Sequence, residues 1–181
     1  ALSTIAFGCF LADGAVNNWS AIYLHSSLKA GAGLAAVAYT AFSCAMAIGR
    51  LLGDHMAERI GPVRLVRFSA ATAAIGLTSA LIAGQVAAAM VGFVLLGLGM
   101  SFVVPLVFTT SSQLEPPGPS LATVTSFGYF GLLVGPALIG AIADAIGLPT
   151  ALGIIVAVCV VTALLAGSVA PKRPFGESFA S

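Results

Sequence analysis

The sequence predicts an all-α, polytopic membrane protein with six transmembrane helices. Three observations carry that prediction. Only 7% of the 181 residues are charged and 59% are hydrophobic, whereas a soluble globular domain carries about 25% charged residues. The apolar residues form continuous runs of about 20 residues, the length that crosses a bilayer, while a β-barrel would alternate over segments of about 10. Short connections bearing Gly, Pro and charge separate the runs, with no soluble domain or low-complexity linker among them.

The first run, about 2–25, starts from Ala1 with no initiator Met and no basic stretch before it. It continues into a polytopic pattern, so it reads as one span of a longer chain and not as a signal peptide. Asp13 sits near its midpoint. A carboxylate at that depth costs about 2.5–3.5 kcal/mol on insertion scales and ordinarily faces a bundle interior or an aqueous cavity. Asn17 lies four residues on, along the same helical stripe, followed by Asn18 and Trp19.

His25 to Lys29 and a Gly-Ala-Gly lead into the second run, about 32–53. It carries Tyr39, Ser43, Met46 and Arg50 at offsets of four, three and four, along one helical face. A connection from Asp54 to Pro62 precedes the third run, about 63–83, and Gly84-Gln85 turns into the fourth, about 86–110. The fourth holds Gly97, Gly99 and Pro105 and ends in Thr109, Thr110, Ser111 and Ser112. Gln113 to Ser120 leads to the fifth, about 121–145, and a tight Gly147-Leu148-Pro149 turn to the sixth, about 149–170. Residues 1–170 thus form one bundle, and 171–181 read as a polar cytoplasmic tail.

Arg50, Arg59, Arg64 and Arg67 gather around the second connection, and Lys172 and Arg173 lie on the tail. Six spans put that connection and both termini on one side of the membrane, with Lys29 alone on the other. The excess of Lys and Arg marks the crowded side as cytoplasmic. In the fifth run Gly131 and Gly135 are four apart, with Pro136 and Gly140 beyond them. Such a smooth patch lets another helix approach closely, and Pro136 frees a backbone carbonyl that a neighbour must satisfy. Tight packing and a moving hinge both fit these residues.

Cys9, Cys44 and Cys159 sit inside apolar runs without metal-ligand or pairing spacing, and read as small hydrophobes. No nucleotide loop, metal cluster or catalytic nucleophile is visible. Neither a cofactor, a metal nor a nucleic acid is therefore expected. A membrane enzyme would need paired His, Asp or Ser groups at one depth, and the cores offer only Asp13. A channel would need a pore loop, for which the connections are too short.

The segment from Gly49 to Arg64, Gly-Arg-Leu-Leu-Gly-Asp-His-Met-Ala-Glu-Arg-Ile-Gly-Pro-Val-Arg, resembles the conserved cytoplasmic loop of the major facilitator superfamily. Gly49, Asp54, Arg59, Gly61 and Arg64 are the matching positions, and the neighbouring Arg50 joins them as a candidate conformational loop. The segment is longer than the usual form, and His55 stands where a basic Arg usually follows the Asp. That last departure is typical of the copy in the second half of such transporters. The run from Gly131 to Gly140 is similar to that family's kinked eleventh helix. Asp13 to Ser20 and Val103 to Leu106 resemble a bacterial branch near the fucose-permease type.

The resemblance implies one half of a twelve-helix transporter, the C-terminal one, in a bacterial inner membrane. It further implies a small-molecule substrate and a partner in the missing N-terminal six-helix half. Spans one, two, four and five would line the cavity. The polarity is sorted accordingly, since the third and sixth runs carry no charge in their cores. Asp13, Asn17, Asn18, Tyr39, Ser43, Ser126 and Tyr129 are the candidates for substrate binding or proton coupling. Pro105, Gly131, Gly135, Pro136 and Gly140 are the candidates for packing or hinging. Asp13 admits two readings, a proton or substrate carboxylate and a structural anchor acting through Asn17. The rival to a full transporter is a standalone or truncated half that is inactive alone or self-associates.

Overall fold

The computed structural model describes residues 1–170, so the predicted tail with Lys172 and Arg173 lies outside the described residues. Seven α-helices follow one another: α1 (Leu2–Ile22), α2 (Ala32–Ile60), α3 (Pro62–Ala83), α4 (Val86–Ser101), α5 (Val103–Ser112), α6 (Pro117–Ile146) and α7 (Leu148–Leu165). A π-helical turn, Tyr23–Ser27, extends α1, and a 3-10 turn, Ala166–Val169, extends α7. Counting α4 with α5 as one broken span gives the six predicted crossings. Five of them are long and apolar enough to cross a membrane by length and composition. The sixth, α1, is 21 residues long, about 31 Å at 1.5 Å per residue; Asp13, Asn17 and Asn18 lower its hydropathy.

The helices form where the sequence lacks breakers and stop where it supplies them. Gly61 and Gly147 adopt φ of 83° and 86°, a region open to glycine at no steric cost. Each ends a helix, its N–H bonded to a carbonyl four residues back. Each also hands on to a helix with Pro in its first turn, where the missing N–H costs nothing. The corner at Gly61 corrects the predicted connection of Asp54 to Pro62, because α2 stays helical to Ile60. Asp54, His55, Glu58 and Arg59 are helical and exposed. The charge here marks a helix emerging from the apolar layer, not a loop.

The fourth span breaks at Phe102, between α4 and α5. Pro105 explains the place: it cannot donate to the Ser101 carbonyl four residues back, and its ring crowds that carbonyl. Pro136 acts differently, and the helical run continues through it. The carbonyl it frees belongs to Leu132, and this oxygen lies against Gly14 of α1, 2.6 Å from where a Cβ would stand.

Packing is pairwise. The α1 helix lies along α6, α3 along α4 and α7, and α2 along α4. Phe7 and Leu11 present their backbones directly to Gly131 and Gly135 of α6, at separations that leave no room for a Cβ. Gly49 of α2 meets the Ser101 side chain in the same manner, and Gly97 of α4 meets the Phe42 carbonyl. The core is built from Phe42, Phe93, Leu96, Ile139 and Ile155, each at most 1% exposed. Large apolar side chains such as Leu51, Ile75, Leu133 and Leu164 point outward, as lipid or a further protein layer permits.

Candidate functional site

Asp13 and Arg50 come together. Both line a small cavity with Cys9, Phe10, Met46, Met100 and Val104, and they interact electrostatically. Helix arithmetic explains the level. Asp13 lies 11 residues from the start of α1 and Arg50 lies 10 from the end of α2, about 16 and 15 Å along antiparallel axes. A second span ending near residue 53 puts Arg50 at its rim and leaves Asp13 as the only charge in the cores. With α2 running to Ile60, Arg50 lies nearly three turns from the helix end, level with Asp13, and the cavity holds one carboxylate and one guanidinium.

Asp13 therefore faces Arg50 on another helix, not Asn17 on its own. Asn17 is exposed, and the Asn18 side-chain amide donates to the Gly14 carbonyl at 2.8 Å. The Trp19 indole lies over Gly140, and its Nε1–H donates to the Pro136 carbonyl at 2.9 Å. The Gly140 position thus makes room for a large side chain that ties α1 to α6.

Tyr39 and Ser43 are half-buried on α2, and the Tyr39 ring stacks on Phe42 at 6.2 Å. Ser126 and Tyr129 are exposed on α6, the Tyr129 ring packing on Phe10 at 5.7 Å. Phe10 in turn borders the Asp13 cavity. Asn17, Asn18, Arg50, Ser126, Tyr129 and Thr109 thus occupy outward surfaces of α1, α2, α5 and α6. On α3, Ser69, Thr72 and Ser79 donate back to carbonyls of their own helix, those of Val66, Phe68 and Gly76, as Asn18 does on α1.

The conformational-loop candidates divide by position. Gly49 is a buried contact point, Arg50 belongs to the cavity, and Asp54 borders a second cavity beside it with Gly53, Ser101, Phe102 and Thr109. Arg59, Gly61 and Arg64 lie at the α2–α3 corner, with both arginines exposed. Among the hinge candidates, Gly131 and Gly135 are buried helix contacts, and Pro105 is exposed beside the break in span four.

The chain matches the family model of the Major Facilitator Superfamily over residues 2–180. It is 37% identical over 161 residues to the membrane protein MosC of Rhizobium meliloti, covering 88% of this chain and 40% of that one. It is 36% identical over 151 residues to an uncharacterized MFS-type transporter of Yersinia pestis, covering 82% and 39%. The fold superimposes with a TM-score of 0.68 on the proton:xylose symporter XylE at 16% identity, covering 91% of this chain and 42% of that one. The chain thus spans about two fifths of the length of each.

Proposed function

The chain belongs to the major facilitator superfamily, a family of integral membrane transporters and not of enzymes, and on that premise we propose that it is the C-terminal half of a secondary active transporter. It moves a small polar solute across a bacterial inner membrane by alternating access, with both termini cytoplasmic. The missing N-terminal half covers the polar face of α1, α2, α5 and α6. Solute binds between the halves near the bilayer midplane, and the two halves rock about it.

One observation carries the reading. Asp13 stands halfway along its helix, beside Arg50, on the side of the bundle where polar residues are left outward. Ionisable groups inside membrane spans mark substrate pathways and proton relays. The carboxyl of Asp13 gains a proton on one side of the membrane and loses it on the other. Asn17, Asn18, Ser43 and Ser126 supply neutral donors and acceptors for solute on the same face.

The test uses the full-length protein in sealed vesicles with an imposed proton gradient. Small polar solutes are screened for uptake, and a protonophore is then added. The reading predicts that accumulation collapses with the gradient. Accumulation that survives the protonophore would remove proton coupling from the account.

A further inference from the structure

Arg50 stands between two carboxylates. It lines the cavity of Asp13 and also the cavity of Asp54. The two spaces measure about 20 and 30 Å³, each enough for about one water. Asp54 lies four residues further along α2, one turn on and on the same face. The partition between the spaces is the break in span four. Ser101 abuts Gly49 there, and the Phe102 ring lies 3.4 Å from where a Gly53 Cβ would stand.

An arginine on a helix leans toward the N-terminal end, and Arg50 does so. Its Nη2 donates to the Met46 sulfur at 3.0 Å, one turn back and inside the cavity of Asp13. A thioether is a weak acceptor. Asp13, on the same cavity, attracts the guanidinium toward that end as well. Should Asp13 become neutral, by taking up a proton or by binding solute, the guanidinium would be left without a countercharge one turn inside the polar end of α2. Long basic side chains relieve that cost by snorkelling to the wet end, where Asp54 is waiting and exposed.

We infer that Arg50 is the positioning residue through which Asp13 acts, its guanidinium passing from Asp13 to Asp54 and closing the Asp54 cavity whenever Asp13 is neutral. The inference rests on Asp13 being the coupling carboxylate. Asp54 alone does not hold the arginine, because exposed ion pairs contribute about 0–1 kcal/mol. The state of Asp13 sets the balance. Among the described residues, the other titratable group on that cavity is the Cys9 thiol of the same helix. The α4 and α5 helices contribute Met100 and Val104, and Tyr129 of α6 reaches it only through the ring of Phe10.

Thr109 is an exposed wall of the Asp54 cavity and serves as reporter. In the full-length protein carrying Cys44→Ser, a cysteine replaces Thr109 and a charged thiol reagent is added from the face bearing Arg59. Asp13→Asn should slow labelling by about fivefold or more, the lower edge of ordinary coupling. Arg50→Lys should preserve that slowing, and Arg50→Gln should erase it. Asp54→Asn should also erase it, which keeps the test decisive if Arg50→Gln fails to fold. Labelling unchanged by Asp13→Asn, or slowed equally with Arg50→Gln present, would overturn the role of Arg50. Solute uptake in the same variants separates the two claims. Lost uphill uptake with unchanged labelling rejects Arg50 and keeps Asp13, while slowed labelling with intact uphill uptake rejects proton coupling alone.

Discussion

Asp13→Asn in the full-length protein abolishes uphill solute accumulation, leaving the inside concentration at the passive limit. Exchange of solute across the membrane persists. The substitution is nearly isosteric, so packing around Cys9, Phe10 and Met100 changes little. What it removes is the group that gains and loses a proton. A transporter lacking its coupling group can still rock with solute bound, but it no longer returns with a proton. Uptake against a gradient and solute exchange are therefore measured side by side. Unchanged accumulation would sink the coupling role, and loss of exchange as well would show a binding or folding role instead.

Gly131→Val combined with Gly135→Val prevents recovery of a stable, monodisperse protein. At both positions α6 touches the backbone of α1, through Phe7 and Leu11, with no space for a Cβ. The contact partner is main chain, which cannot swing aside as a flexible side chain would. Overpacking of this kind costs about 1–3 kcal/mol per site, against a total stability of about 5–15 kcal/mol. Both sites lie on the seam that also positions Asp13, so any variant that does fold should lose transport too. Gly153→Ala is the control, since nothing lies within 4 Å of its position and surface changes usually stay within about 0.5 kcal/mol. Thermal unfolding in detergent compares the variants, and a double variant as stable as the control would refute the α1–α6 contact.

Most of the fold could be read from the sequence because apolar runs and their punctuation are local signals. The corner at Gly147 was marked by glycine with Pro149 just beyond it, and the one at Gly84 by a Gly-Gln pair interrupting the apolar run. The smooth patch of Gly131 and Gly135 was visible as spacing, although its partner on α1 was not. The long α2 was missed because a helix leaving the apolar layer carries charge without any breaker before Gly61. That miss hid the main feature of the candidate site. Arg50 looked like a rim residue until three more helical turns lay beyond it, although its place on the Tyr39–Ser43–Met46 stripe was already evident. The break at Phe102 carried its signal in Pro105, four residues beyond the carbonyl left without a donor. Trp19 could not be assigned from sequence, because its partner carbonyl lies at Pro136, 117 residues away.

The central claim is that the polar face of α1, α2, α5 and α6 lines a water-accessible cavity completed by a second half. A cysteine replaces Ser126 on that face, and in a separate variant Ile75 on α3, in the full-length protein carrying Cys44→Ser. A charged, membrane-impermeant thiol reagent is applied from each side of the membrane in turn. The account predicts that the cysteine at 126 reacts from either side, while the one at 75, facing lipid, stays inert. A cysteine at 126 as inert as the one at 75, or reactivity confined to 75, would contradict it.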